Sequence, residues 1–183
     1  MSSVTHHSVK FLNPSFVLAQ SGIGEGMQVA DFGCGQGDFA LAAAKLVGPE
    51  GKVCAIDIQD SALSSTRSKA RIGGLLNIVL VKGNVEVSGA SGCADGSQDA
   101  VLLTNLLFQT EKRAEVLHEA MRALKPGGIA IFVDWEKEAP LGPMRNLRME
   151  KEAIEKLIIQ EGFVFKKEIE AGAFHFGMLF TKK

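Results

Sequence analysis

Short apolar runs alternate with amphipathic stretches along most of the chain. Runs rich in Val, Ile, Leu and Ala predict buried strands, and apolar residues spaced three and four apart predict helices that bury one face. Consecutive strands joined by a helix pair in parallel, because a parallel connection needs a crossover of a dozen or more residues. The pattern predicts strands at about 27–32, 52–57, 77–82, 99–104 and 129–134, and helices at about 38–47, 60–72, 111–124 and 149–161.

The C-terminal residues break this alternation. Two further apolar strands, at 163–170 and 173–181, are separated only by Ala171 and Gly172. A gap that short permits only an antiparallel hairpin. We therefore expect an α/β fold with a doubly wound, seven-stranded, mostly parallel sheet and an antiparallel C-terminal strand.

The N-terminal residues predict one more short helix. Asn caps helices and Pro suits their first turn, so this helix should begin at Asn13 or Pro14 and end before Gly22. Neither a domain boundary nor an internal repeat interrupts the rest. We expect a single domain over residues 1–183, with residues 1–22 as an N-terminal lid or helix segment.

Length and composition describe an ordinary globular domain. A chain of 183 residues buries roughly 70% of its unfolded surface and needs no disulfide or metal to fold. The net charge is −1, and the nearest approach to a basic patch, Arg145 to Arg148, is typical of a solvated loop, so we expect no nucleic-acid partner. No signal peptide or apolar run of membrane-spanning length is present, which predicts a cytoplasmic protein without a membrane partner.

Three glycines on alternate positions mark the candidate ligand site. The stretch VADFGCGQGDFA, residues 29–40, places Gly33, Gly35 and Gly37 between an apolar run and an Ala/Leu-rich one. This is a buried strand turning tightly into a helix, the place where many α/β folds bring backbone close to a ligand.

The residues around the glycines narrow the ligand class. A dinucleotide site favours G-x-G-x-x-G without flanking carboxylates, whereas this loop has Asp31 and Asp38 on either side. Two carboxylates suit a ligand with a positive centre. Asp57 ends the next strand, where such folds place an acid for the two hydroxyls of a ribose. The residues thus favour a nucleoside that carries a cationic group and no phosphates, a description that fits S-adenosylmethionine.

Five motifs in order resemble the class I S-adenosylmethionine-dependent methyltransferases. They are VADFGCGQGDFA, VCAIDIQD, VKGNVEV, DAVLLTNLLFQ and LKPGGIAIFVDW, and together they cover essentially the whole chain. The terminal hairpin resembles the antiparallel strand of that fold, which nucleotide-cofactor dehydrogenases lack. The general layout is similar to the ubiquinone and menaquinone biosynthesis type.

The resemblance implies a role for each residue of the cofactor site. Gly33 and Gly35 would approach the methionine part of S-adenosylmethionine, with Asp31 near its ammonium group. Asp57 would bind the ribose. The remaining cofactor-side candidates are Ile58 on the adenine face, Asn84 near the adenine amino group with Val85 beside it, Asn105 at the end of the fourth strand, and Cys34 within the loop, without a redox or nucleophilic role.

The sequence says less about the residues that would bind the methyl acceptor than about those of the cofactor site. Asp134 ends the strand next to the fourth one and is the candidate catalytic base, with a solvated strand end as its alternative. Trp135 is a candidate substrate wall, and His175 is expected to be structural. His6, His7 and Lys10 precede FLNP in a segment that in similar enzymes often covers the cofactor.

These residues predict metal-independent methyl transfer by in-line displacement to a small-molecule acceptor. The ends of the two relevant strands offer one carboxylate, too few ligands for magnesium. Cys34, Cys54 and Cys93 lack metal or redox spacing and are expected to be reduced structural residues. Three alternatives remain open: a macromolecular acceptor (protein or RNA), a module that binds S-adenosylmethionine without catalysis, and a nicotinamide-dependent oxidoreductase on a similar sheet.

Overall fold

The computed structural model describes residues 11–183, and its elements follow the predicted alternation. Asn13 caps the first helix by accepting a hydrogen bond from the Phe16 N–H at 3.1 Å, as predicted. The helices are α1 Pro14–Ala19, α2 Asp38–Val47, α3 Asp60–Ile72, α4 Arg113–Ala123 and α5 Lys151–Gln160, and the strands are β1 Gln28–Phe32, β2 Lys52–Asp57, β3 Ile78–Lys82, β4 Gln98–Thr104, β5 Leu124–Trp135, β6 Phe163–Glu170 and β7 His175–Lys182.

All seven strands form one sheet in the order β3-β2-β1-β4-β5-β7-β6. Strands β1 to β5 pair in parallel, and β7 is antiparallel to both of its neighbours. This confirms the predicted fold class. The strand order reverses between β1 and β4, so the crevice at their carboxyl ends is the place where open α/β sheets bind ligands.

Alternation along the strands gives the sheet an apolar core on each face. On one face Val29, Leu102 and Ile131 pack with α1 and α2. On the other, Phe32, Leu103 and Phe132 pack with α4 and α5. Because successive side chains of a strand point to opposite faces, two neighbouring residues at a strand end have their side chains on different faces of the sheet.

Two strands, β5 and β7, begin at least two residues away from their predicted starts. Strand β5 already begins at Leu124, because Leu124 pairs with Gln98 before the ladder resumes at Ile129 and Ala100. The intervening residues 125–128 bulge, and Gly127 there has φ +76°. Strand β7 begins at His175, so the hairpin turn spans residues 171–174.

Arg148 corrects the expectation of a solvated arginine pair. Its side chain is only 8% exposed, and it donates to the carbonyl oxygens of Pro143 at 2.8 Å and Ala139 at 2.7 Å, and to those of Glu136 and Lys137. Arg145 is exposed and pairs with Glu138. The segment 136–148 is therefore organised around one buried guanidinium, which a count of charges does not reveal.

Candidate functional site

The glycine loop joins β1 to α2 at the point where the strand order reverses. Gly35 has φ +52°, and a Cβ atom there would meet no protein atom within 4 Å, so the space beside it is open to a ligand. Gly37 has φ +84°, and its Cβ would lie 2.6 Å from Thr66 Oγ1. The Thr66 hydroxyl donates to the Gly35 carbonyl at 3.1 Å, so α3 holds the loop from behind.

Asp57 connects the end of β2 to this loop. Its Oδ2 accepts from the Gly35 N–H and its Oδ1 accepts from the Gln59 N–H, both at 2.9 Å. An ionised carboxylate has about four acceptor positions. The two hydrogen bonds fix its orientation and leave acceptor capacity for a ligand.

A cavity of about 490 Å³ opens between the glycine loop and the end of β3. Six of the predicted residues lie in its wall. They are Gly33, Gly35, Asp57, Ile58, Asn84 and Val85.

The far wall of this cavity suits a flat aromatic group. Ile58 is 59% exposed although it is a large apolar side chain, and Val85 is buried. The Asn84 side-chain oxygen accepts from the Glu86 N–H at 2.9 Å, so part of its hydrogen-bonding capacity serves the local turn. An exposed isoleucine above such a turn gains a contact when a planar ligand covers it.

A second cavity of about 330 Å³ adjoins the first and shares Gly33, Gly35, Gln36 and Gln109 with it. Of the remaining predicted residues, Cys34 and Asn105 lie in its wall. Leu12 and Pro14 of the N-terminal segment line it too. His6, His7 and Lys10 lie outside the described residues. Burial raises the pKa of the Cys34 thiol to about 12, in keeping with the absence of a nucleophilic role.

Asn105 is the most strained residue of this wall. It has φ +52°, and among the described residues it is the one residue other than glycine with a positive φ. Its side-chain oxygen is buried without a hydrogen-bond partner, while the Gln109 side chain donates to its backbone carbonyl at 2.6 Å. Strain of this kind persists where the surroundings enforce it and concentrates at ligand sites.

Asp31 lies beneath the glycine loop rather than in a cavity wall. It is 0% exposed, and neither carboxylate oxygen has a hydrogen-bond partner. Burial raises its pKa to about 7, and the nearby Asp57 and Asp38 carboxylates raise it too. A buried carboxylate without a partner is costly, and a cationic ligand above the loop would relieve that cost.

Asp134 is held on the α4 side of the sheet and lines neither cavity. It is 6% exposed, and its Oδ1 accepts from the Trp135 N–H at 2.8 Å. Burial raises its pKa to about 6, opposed by the N–H groups of Trp135 and Phe108 and by Arg113. Its role as the base stays a prediction.

The rings of Trp135 and His175 lie against each other beside this strand end, tilted by 40°. Their ring centroids lie 4.0 Å apart, and Gly142 packs so closely on the indole that a Cβ would lie 2.5 Å from it. Both ring nitrogens of His175 are buried without partners, and burial lowers its pKa to about 4. The pair sits in neither cavity wall, in line with a structural His175.

Several wall residues were missed by the sequence analysis. Glu86 and Thr110 line the first cavity, where the Thr110 hydroxyl donates to the Glu86 carboxylate at 2.6 Å. Gln36 and Gln109 line both cavities. The available signal was their position: each is a polar residue in a turn that directly follows a strand of the crevice.

Residues 11–183 contain neither a metal-binding cluster nor a helix that could cross a membrane. No group of three or more His, Cys, Asp or Glu side chains there is arranged to hold a metal ion. Over the same range, every helix is too short or too polar to traverse a lipid bilayer.

Comparison with known proteins agrees with this geometry. Residues 23–172 match the model of a methyltransferase domain family. A ubiquinone/menaquinone biosynthesis C-methyltransferase of Pasteurella multocida is 34% identical over 134 residues, which are 72% of this chain and 49% of that protein. The chain therefore spans about half the length of the curated relatives it matches.

Two solved structures are similar over most of the chain. An S-adenosylmethionine-dependent methyltransferase from Aquifex aeolicus has a TM-score of 0.87 at 26% identity, covering 94% of this chain and 91% of that one. An arsenic(III) S-adenosylmethionine methyltransferase from Chlamydomonas reinhardtii has a TM-score of 0.70 at 26% identity, covering 89% and 65%.

The fold, the crevice and the family match define a class I S-adenosylmethionine-dependent methyltransferase domain. The chain belongs to the methyltransferase domain family. This confirms the predicted class of enzyme and the predicted cofactor, S-adenosylmethionine, and decides against a nicotinamide-dependent oxidoreductase.

Proposed function

We propose that this protein transfers the methyl group of S-adenosylmethionine to a small-molecule acceptor bound in the second cavity. The observation that carries the proposal is the pair of adjoining cavities with a common wall at the glycine loop. One is walled by the predicted cofactor residues, and the other meets it where the loop and the end of β4 come together. A donor and an acceptor bound in this way would lie side by side.

The donor fits the residues of the first cavity. Asp57 would accept the ribose hydroxyls, with Ile58 and Val85 on the adenine faces and Asn84 at its edge. Gly35 leaves room for the methionine part. The unpartnered Asp31 supplies negative charge beneath the loop for a cationic ligand.

The acceptor side positions a nucleophile rather than activating it with a metal. When bound, S-adenosylmethionine supplies an electrophilic methyl group with a good leaving group. The protein's task is then to align the acceptor and exclude water. Asn105, with its free side-chain oxygen, would orient the acceptor, and Leu12 and Pro14 would cover it.

We propose Asp134 as the group that takes a proton where the acceptor must lose one. A pKa of about 6 makes its carboxylate a better base at neutral pH than an ordinary aspartate. Because it lines neither cavity, the transfer would pass through an intervening water.

A phenolic or quinol carbon is the acceptor class we favour. The support is the name of the Pasteurella multocida relative, a C-methyltransferase of quinone biosynthesis. A metalloid acceptor is less favoured. Cys34 packs on the α2 side of the sheet while Cys54 and Cys93 pack on the other, so they present no joint thiol site.

Titration calorimetry with S-adenosylmethionine and S-adenosylhomocysteine tests donor binding directly. We expect one site per chain for both, and the absence of binding would contradict the proposal. Release of S-adenosylhomocysteine in a panel of phenols, quinols, amines, tRNA and protein then tests the acceptor. Turnover only with tRNA or protein would favour a macromolecular acceptor, and donor binding without any turnover would favour a non-catalytic module.

A further inference from the structure

Segment 83–97 follows β3, and its residues 83–86 form part of the wall of the first cavity, the one of about 490 Å³. Two turns come directly after these residues. The Val87 N–H donates to the Asn84 carbonyl at 2.9 Å, and the Ala90 N–H donates to the Val87 carbonyl at 3.0 Å. The cavity wall therefore continues into a folded stretch that reaches Ala90.

Gly83, in the cavity wall, packs directly on Ala90. A Cβ atom at position 83 would overlap the Ala90 carbonyl oxygen, so the two backbones meet with no space for a side chain. The Gly83 N–H also donates to the Asp57 carbonyl at 3.1 Å. Because close-packed groups pass displacements on to their neighbours, the position of Ala90 affects where Gly83 and the wall lie.

The residues on either side of Ala90 are held by Glu119 of α4. The Glu119 carboxylate is 1% exposed, and it accepts from the Gly89 N–H at 2.8 Å and from the Ser91 N–H at 3.3 Å. Burial raises the pKa of Glu119, but hydrogen bonds from Arg122, Ser91 and Gly89 outweigh that effect and lower the pKa to about 2. Glu119 is therefore ionised at neutral pH, and hydrogen bonds to an ionised group are among the strongest in proteins.

The surroundings of Glu119 fit a carboxylate and no other group of its size. Oε2 accepts from the Gly89 N–H and from Arg122 Nε, and Oε1 accepts from the Ser91 N–H and from Arg122 Nη2. Each oxygen thus faces two donors. A glutamine amide in either orientation would turn its own NH₂ donor toward two of them. Glu119→Gln should therefore loosen the hold on residues 89–91 while keeping the size of the side chain.

We propose that Glu119 is a positioning residue for the donor site, one that holds residues 89–91 in place and thereby sets the position of the cavity wall at residues 83–86. The inference rests on the proposed function, which assigns the first cavity to S-adenosylmethionine and places Asn84 at the edge of the adenine. Glu119 lines neither cavity, so it acts through the segment. Val116, one turn earlier in α4, lies in the wall itself, so the same helix supports this wall at two points.

Calorimetry with S-adenosylhomocysteine on Glu119→Gln tests the proposed role. We expect binding to weaken by about fivefold or more, because the wall is no longer held where the donor needs it. Arg148→Ala is the matched control, since it also disrupts a buried charged group but in segment 136–148, which lines neither cavity. Its affinity should stay within about twofold of the unmutated protein. A loss in Glu119→Gln no larger than that in Arg148→Ala would overturn the proposal.

S-inosylhomocysteine, in which a carbonyl replaces the adenine amino group, provides a readout that a general loss of stability would not change. The unmutated protein should prefer S-adenosylhomocysteine, and Glu119→Gln should reduce that preference, because the wall at the edge of the base has moved. A variant that was only less stable would bind both ligands more weakly and keep the same ratio of affinities. An unchanged ratio in Glu119→Gln would therefore overturn the proposal. Urea denaturation establishes that each variant is folded under the assay conditions.

Gly83→Ala tests the same coupling with Glu119 left in place. Its methyl group would push against the Ala90 carbonyl, so we expect donor binding to weaken, and full affinity in this variant would contradict the coupling. The two proposals fail in different ways. If the unmutated protein does not bind S-adenosylhomocysteine, the proposed function is wrong. If it does bind and Glu119→Gln binds equally well, only the role of Glu119 is wrong.

Discussion

At the scale of single residues, the site is marked by groups whose bonding is incomplete. Asp31 has two buried oxygens without partners, and Asn105 has one. Unsatisfied buried groups each cost about 1–3 kcal/mol, and folded proteins retain few of them. Asp31 and Asn105 lie at the ends of β1 and β4, where a ligand would complete their bonding, whereas His175, which also has unpartnered buried nitrogens, lies in neither cavity wall.

Asp57→Ala tests the assignment of the ribose site. We expect it to weaken S-adenosylhomocysteine binding by about 1–3 kcal/mol, or five- to 150-fold, because hydrogen bonds to a charged group are lost. Asp60→Ala is the control, since Asp60 is an exposed carboxylate paired with Lys82. Calorimetry measures both. Equal affinities in the two folded variants would remove Asp57 from the site.

Asp31→Asn tests whether the buried carboxylate makes the free energy of unfolding depend on pH. The folded-state pKa of about 7 lies above the ordinary aspartate value of 3.8, so between those values the folded protein binds a proton that the unfolded chain does not. The free energy of unfolding should therefore fall as pH rises from about 4 to 7, by up to about 4 kcal/mol for this group.

Asp31→Asn removes the titrating carboxylate. The free energy of unfolding of this variant should therefore fall less between about pH 4 and pH 7 than that of the unmutated protein. Urea unfolding at the two ends of the range measures it. Asp60→Asn, which alters an exposed carboxylate, should keep the original slope. An identical slope in Asp31→Asn would show that Asp31 is not protonated on folding.

Asp134→Asn tests the proposed proton acceptor once an acceptor substrate is known. The amide keeps the shape and the contact with Trp135 but removes basicity, so we expect kcat to fall about 100-fold or more with donor affinity intact. In the unmutated protein, kcat should rise with pH through about 6, because the carboxylate must be ionised. A change confined to KM, or none at all, would make Asp134 a structural carboxylate that holds the end of β5.

At the scale of elements, periodicity predicted nearly every strand and helix, because each buries one face against the sheet. It missed the early start of β5, since the bulge at residues 125–128 depends on pairing with β4 across the sheet. It also missed Arg148, whose burial arises from the path of a loop rather than from its neighbours in sequence. In the candidate site, the wall formed by the glycine loop and Asp57 could be predicted from the sequence. Gln109 and Thr110 could not, because they reach the cavity only through the path of the turn after β4.

Arg148→Ala should destabilise the fold through the segment 136–148. Removing a buried guanidinium that bonds four carbonyls costs about 2 kcal/mol or more in the free energy of unfolding. Arg145→Ala is the matched control in the same segment and should change it by less than about 0.5 kcal/mol, because an exposed ion pair contributes little. Urea denaturation measures both, and equal losses would show that Arg148 does not organise the segment.

At the scale of the whole molecule, the proposed donor site joins the two halves of the sheet. The glycine loop follows β1, Asp57 ends β2, and Asn105 follows β4 across the strand reversal. A donor bound there would contact segments from both halves of the sheet, and its binding free energy would add to the stability of the domain. The family could be predicted because short motifs mark the glycine loop and the strand ends, while the proposed acceptor cavity is completed by Leu12 and Pro14, which belong to none of those motifs.

S-adenosylmethionine should therefore raise the midpoint of thermal unfolding without any metal. At about 100 times its dissociation constant a ligand adds about 2.7 kcal/mol, which in a domain of this size corresponds to a rise of about 5–10 °C. The rise should be the same with excess chelator, because the proposed donor contacts are carboxylate, backbone and apolar groups. Asp57→Ala, assayed at the same donor concentration, should show a smaller rise than Asp60→Ala. Loss of the rise on adding chelator, restored by a divalent cation, would contradict metal-independent donor binding.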